Sequence, residues 1–214
     1  MQVKGLFTGK PREVEYNGKI ISTGIFKYPI VGPVKVYTLN MEGDGQADLS
    51  VHGGINKAVY AYPIEHYTYW QDTRPDLSFE VGTFGENLSV SGMKEDSVFI
   101  GDTYQIGEVT FSVTTPRMPC FKLSLRVGDP SFIKDFLKAN KSGFYFKVLQ
   151  EGRLDIGDHI KKVGEDGYRL SIREVVSLYD KQKTNKALLT KAVNSPSLPQ
   201  DWIDHFRQKL KALI

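Results

Sequence analysis

The 214-residue chain carries 28 Lys and Arg against 25 Asp and Glu, with 40% hydrophobic and 25% charged residues, an ordinary balance for a folded globular protein that excludes disorder as the dominant state. Residues 161–214 hold 11 Lys and Arg against 6 Asp and Glu, so the remainder is slightly acidic and is not a general polyanion binder; any anion it holds must be gripped by a few local residues. No apolar run approaches the roughly 20 residues that span a bilayer, the N-terminus lacks a secretory signal, and the single cysteine cannot form an intramolecular disulfide, which together predict a cytoplasmic protein with no membrane partner.

Residues 1 to about 165 read as short strands punctuated by Gly, Pro and Asp. Candidates in chain order are Gln2–Phe7, Val34–Leu39, Val98–Ile100, Thr103–Ile106, Val109–Val113 and Tyr145–Leu149. Close spacing and turn residues predict an antiparallel barrel or sandwich. Two helices interrupt this pattern. One starts at Pro63 and carries Tyr67 and Trp70; the other, Ser131 to about Asn140, sets Phe132, Ile133, Phe136 and Leu137 at helical spacing. Phe99-Ile100-Gly101-Asp102 and Asp155-Ile156-Gly157-Asp158 echo one another and read as two similar turns in one sheet.

The character changes after Gly167. Ser171-x-x-Glu174 is a capping-box pattern opening a helix through Leu178. Thr184 caps a second through about Val193, and Pro199 starts a third with Trp202, Ile203, Phe206, Leu210 and Leu213 along one stripe. The expected organisation is therefore mainly β (α+β), with a β domain over 1–166 and a three-helix domain over 167–214. The basic tail reads as a solvated helix face, and no DNA-binding motif argues for a nucleic-acid partner.

Three stretches combine glycines or prolines with ionisable residues. In Glu42 to Tyr60, His52-Gly53-Gly54 lets backbone approach a ligand closely, with Lys57 as a further donor; in isolation the pattern reads more readily as a plain turn. In Thr83-Phe84-Gly85-Glu86-Asn87-Leu88, the amide of Asn87 can both donate and accept, as a heterocycle edge requires, or the segment is simply a polar turn. In Thr115-Pro116-Arg117-Met118-Pro119-Cys120-Phe121-Lys122-Leu123, two prolines restrict the backbone before the thiol. The flanking Arg117 and Lys122 favour a thiolate, the form that ligates a metal or attacks an electrophile; the competing reading is a small buried hydrophobe. One Cys with scattered His52, His66, His159 and His205 supplies no zinc spacing, and no Walker loop, GxGxxG or GxSxG is present.

With these stretches in view, the sequence resembles the MOSC family, named after the C-terminal part of molybdenum cofactor sulfurases, and most nearly its stand-alone bacterial YiiM-like branch. The carrying residues are VHGGINKAVYAYPIEHYTYW at 51–70, FGENLSVSG at 84–92, FIGDTYQIGEV at 99–109 and TPRMPCFKL at 115–123, together with the three C-terminal helices. The resemblance implies a closed β-barrel related to pyruvate-kinase-like barrels and a pterin-based molybdenum cofactor in a cleft, with Cys120 as the molybdenum ligand. It further implies that Arg117 and Lys122 meet the cofactor's phosphate or dithiolene end and that His52, Gly53, Gly54 and Lys57 wall the cleft. Glu86 and Asn87 would contact the pterin or position solvent. Related members reduce N-hydroxylated compounds, including hydroxylaminopurine-type bases, with electrons from a separate reductase, so the expected enzyme is a molybdenum-dependent oxidoreductase with His52 as general acid. The alternatives are a sulfur carrier working through a Cys120 persulfide and a non-enzymatic cofactor carrier.

Overall fold

The computed structural model describes residues 1–47, 53–179 and 185–213. The strands are β1 (Gln2–Thr8), β2 (Arg12–Tyr16), β3 (Lys19–Thr23), β4 (Tyr28–Pro29), β5 (Val34–Val36), β6 (Val59–Pro63), β7 (Leu88–Ser91), β8 (Thr103–Ile106), β9 (Val109–Pro116), β10 (Phe144–Gln150), β11 (Gly152–Leu154) and β12 (Ile160–Gly164). The helices are α1 (Glu65–Thr73), α2 (Phe121–Val127), α3 (Phe132–Ala139), α4 (Ile172–Ser177), α5 (Lys186–Val193) and α6 (Gln200–Lys211). The fold is mixed α+β around an eight-stranded sheet, ordered β12-β8-β9-β10-β6-β7-β1-β4, in which, among the described residues, only β6 and β7 pair in parallel. Two-stranded pairings, β5 with β11 and β2 with β3, complete it.

Further bonds lie outside that order. Val3 N donates to Asp158 O at 3.0 Å, Gly157 N to Val3 O at 3.0 Å and Ile160 N to Met1 O at 3.1 Å, so β1 bonds to the segment leading into β12. Alternation explains the interior: in β10, Phe144, Phe146 and Val148 are buried on one face while Tyr145 and Lys147 lie on the other. Phe146 packs on Phe111 at 4.9 Å between ring centroids. A second, aromatic cluster of Tyr60, Tyr62, Tyr67, Trp70, Phe79, Phe84, Phe132 and Phe136 lies where α1 and α3 cover β6. Its anchor is Trp70, which stacks on Phe136 at 5.9 Å and donates to Tyr62 Oη at 2.7 Å.

Several expectations shift. Pro63 ends β6 rather than opening α1. Val98–Ile100 forms no strand; Phe99 makes a single bridge to Ser171. Val34–Leu39 shortens to Val34–Val36, because Tyr37 and Asn40 close a turn. Thr184 lies outside the described residues, and Asn185 caps α5 by accepting from Leu188 N at 2.9 Å. The Ser171–Glu174 capping box forms at both bonds, 2.7 and 3.1 Å. Trp202, Ile203 and Phe206 of α6 join the same apolar core as the sheet, while Leu213 stays exposed. No helix among the described residues is long and apolar enough to cross a membrane. Ser171→Ala removes the side-chain acceptor for Glu174 N and is expected to cost about 1 kcal/mol of stability in urea unfolding, with α4 the segment that loses amide protection.

Candidate functional site

A cleft partly open to solvent runs between the segment leaving β3 (Thr23 to Lys27), the Gly85–Asn87 turn and the start of α2. Cys120, Arg117, Lys122, Lys57 and Asn87 line it, joined by Lys27, Asp44, Tyr60, Met118 and Tyr145. Among these lining residues four cations face one carboxylate, so the cleft is built for an anion.

Asp44 holds the wall together. Its Oδ1 accepts from Gly9 N at 3.0 Å and from Lys27 Nζ, and its Oδ2 accepts from Asn87 Nδ2 at 2.8 Å. Lys27 and Asp44 are both buried as an ion pair; burial pushes the Lys27 ammonium below its ordinary pKa, and Asp44 opposes that shift. Asn87 is fully committed, since Tyr60 N donates to its Oδ1 at 3.0 Å and Nδ2 also reaches Phe7 O at 3.2 Å. Gly85, at φ 74°, lets this turn lie against Ile25, where an added Cβ would meet Ile25 Cγ1 at 2.9 Å.

Arg117 follows β9 and is only 6% exposed, between the rings of Phe136 (5.3 Å) and Tyr60 (5.7 Å). Its backbone N donates to Gly143 O at 3.4 Å, Tyr60 Oη donates to Ser142 O at 2.8 Å, and Gly143 N donates to Glu95 Oε1 at 2.8 Å. Gly143 has φ 62°, and a Cβ there would meet Ala61 O at 2.5 Å, so glycine is needed where the loop presses on β6. The Arg117 Nη1 is buried with no hydrogen-bond partner among the described residues. A buried charged donor left unpaired costs on the order of 1–3 kcal/mol or more, a deficit that an anion in the cleft would remove. Cys120, half-buried, is the N-cap residue of α2. Burial raises the Tyr145 hydroxyl's pKa; nearby Arg117 lowers it and nearby Cys120 raises it.

The cleft thus gathers Cys120, Arg117, Lys122, Lys57 and Asn87. Gly53 and Gly54 are not among its lining residues; Gly54, at φ 88°, opens the 3-10 turn Ile55–Lys57 that carries Lys57. Glu86 is not among the lining residues. It is fully buried, where Oε1 accepts from the Tyr67 hydroxyl, Gly82 N (3.0 Å) and Ser89 Oγ (3.0 Å), while Oε2 finds no partner among the described residues. Asn87 braces Asp44 rather than offering a free amide edge. His52 lies outside the described residues. Lys27, Asp44 and Tyr60 escape a sequence reading because their pairing is tertiary, whereas the β10 alternation already sets Tyr145 opposite the core. No group of three or more His, Cys, Asp or Glu among the described residues could hold a metal ion.

The MOSC domain family model matches residues 48–161. The chain is 38% identical over 216 aligned residues to the uncharacterized protein YflK of Bacillus subtilis (strain 168), covering 99% of this chain and 96% of that one. It is similar to the crystal structure of YiiM from Geobacillus stearothermophilus, with 33% identity, TM-score 0.81 and 98% of each chain covered. A protein of Gibberella moniliformis (strain M3125 / FGSC 7600) named "Reductase" is 31% identical over 199 residues, which span 91% of this chain but 35% of that protein.

Burial raises the pKa of Glu86 above its ordinary 4.5, against the hydrogen bonds from Tyr67, Gly82 and Ser89. A raised carboxyl binds its proton more tightly in the folded state, so its contribution is fully present below about pH 4.5 and is lost as pH rises through the folded pKa. Glu86→Gln, which cannot ionise, is therefore expected to gain stability relative to the parent as pH rises above 4.5; urea midpoints at several pH values check this, and parallel curves would refute the assignment.

Proposed function

The chain belongs to the MOSC domain family, in its YiiM-like branch, and from this we propose that the cleft binds a pterin-based molybdenum cofactor, with Cys120 as the protein's ligand to the metal, in a reductase of N-hydroxylated compounds such as hydroxylaminopurine-type bases. The observation that carries the reading is Cys120 sharing one cleft with Arg117, whose buried Nη1 finds no partner among the described residues, and with Lys27, Lys57 and Lys122. That donor set fits. The described residues of the cleft offer one thiol and an excess of positive charge rather than a cage of ligands, which suits a metal that arrives on an anionic organic scaffold with ligands of its own.

When bound, such a cofactor supplies two-electron, oxygen-accepting chemistry that side chains lack. The chain's residues bind and orient. Arg117 and Lys122 take the anionic end, with Arg117 satisfying its open donor there. Lys57 adds positive charge to the wall, Lys27 is balanced by Asp44, and Asn87 holds Asp44 in place. In this reading His52 brings the proton that the departing oxygen needs, and a separate reductase delivers the electrons. The Gibberella relative's name supports the reductase class. The same reading takes the sheet as a closed barrel, for which the bonds from β1 to residues 157–160 are the support, and 167–214 as its helical domain.

Anaerobic purification from a molybdenum-replete host is expected to yield metal and a fluorescent pterin oxidation product, and hydroxylaminopurine is expected to turn over with a chemical reductant. Cys120→Ala should keep its thermal unfolding profile and lose reduction by more than about 100-fold. Full activity in that variant excludes the ligand role. A Cys120 persulfide by mass spectrometry, without reduction, would replace this reading with sulfur transfer; bound cofactor with neither would replace it with a carrier.

A further inference from the structure

Among the described residues the hairpin β2–β3 pairs only with itself, through the turn Asn17-Gly18, whose φ values of 51° and 72° fit a tight two-residue connection. Both strands are largely exposed. Isolated two-stranded hairpins are marginal in water, so contacts made by this arm matter. Tyr16 stacks on Phe121, with centroids 5.6 Å apart and planes at 29°. At the base, Arg12 lies over Phe26 at 3.8 Å, and Arg126 of α2 approaches the same ring at 5.2 Å.

These contacts join the two walls of the cleft. The arm leads directly into Thr23, Gly24 and Ile25, which line one side; Phe121 stands between Cys120 and Lys122, which line the other. Phe121 nevertheless remains 43% exposed, so stacking with Tyr16 leaves much of its ring in water. Other large apolar side chains of the arm and its flanks are solvated too; neither Tyr16 nor Phe121 is itself among the residues that line the cleft, but Phe121 adjoins the thiol in sequence and stacks on an aromatic partner of the arm.

Resting on the reductase reading, we propose that Tyr16 and Phe121 form a stacking subsite at the cleft mouth that selects planar heteroaromatic substrates and sets the ring beside Cys120. The two rings are specificity-determining residues, not catalytic ones. Stacking a base on an aromatic side chain is worth about 1–3 kcal/mol, which makes the loss of either ring readable as roughly a fivefold or greater weakening of ring binding.

The test is direct binding of 2-aminopurine to the full chain, read by quenching of its fluorescence. Saturable quenching is expected in the parent. Phe121→Ala and Tyr16→Ala should each weaken it by about fivefold or more, and Phe121→Trp should retain it. Circular dichroism confirms that each variant is folded, and Phe121→Leu, which keeps apolar bulk without a ring, serves if Phe121→Ala is not; Phe121→Leu should bind as weakly as expected for Phe121→Ala. Parent-like quenching in the Leu or Ala variants, or no quenching in the parent, overturns the subsite. Because this readout needs no turnover, it separates from the reductase reading. Variant-sensitive quenching beside full reduction by Cys120→Ala would uphold the subsite and sink the ligand role, and insensitive quenching beside lost reduction would do the reverse.

Discussion

One carboxylate organises the cleft. Asp44 accepts from Lys27, from the backbone of Gly9 after β1 and from the amide of Asn87, so three segments far apart in sequence meet on two oxygen atoms. A buried ion pair of this kind contributes little net stability compared with apolar packing, but removing one partner leaves an uncompensated charge and costs about 3–5 kcal/mol. Its value lies in register. The cleft wall can take only the arrangement in which Lys27, Asn87 and Gly9 all reach Asp44, and the Gly85 turn against Ile25 follows from that arrangement.

The opposite wall is set by apolar packing. Tyr60 belongs to the aromatic cluster around Trp70 and also lines the cleft, so the rigidity of that cluster passes to the Ser142–Gly143 loop through the Tyr60 hydroxyl and on to Arg117. A well-packed aromatic core thus holds a guanidinium in a position where one of its donors finds no partner among the described residues. The protein sustains that unsatisfied position by over-determining its surroundings, which is the pattern expected of a preorganised binding site.

Much of this was legible in the sequence, and the failures have physical causes. Capping chemistry and local periodicity predicted α3, α4 and α6 because their signals lie within a few residues of one another. The Cys120, Arg117, Lys122, Lys57 and Asn87 set was legible because prolines and glycines mark constrained backbone. The β2–β3 hairpin went unread although Asn17-Gly18 is a strong turn signal, since its strands lack the alternation of a half-buried sheet. The burial of Glu86 went unread for a different reason. A carboxylate beside a glycine turn reads as solvated, and only the tertiary structure reveals the Tyr67 hydroxyl and Gly82 amide that let it be buried. Lys27 and Asp44 fail the same way, because sequence alone does not show that two buried charges have each other.

The two walls therefore differ in what they can tolerate. The Asp44 wall is polar and cooperative, so a change at any member is felt by all three segments. The Arg117 wall is apolar behind and open in front, so its chemistry can vary while its position stays fixed. A site built this way separates holding a ligand from selecting one. Conserving charge and the thiol keeps the grip on an anionic, sulfur-seeking group, while the exposed strands of the arm and the half-exposed ring of Phe121 are free to change what enters. Within the proposed reading, substrate range should accordingly be encoded in the arm and at Phe121, and cofactor binding in the two walls.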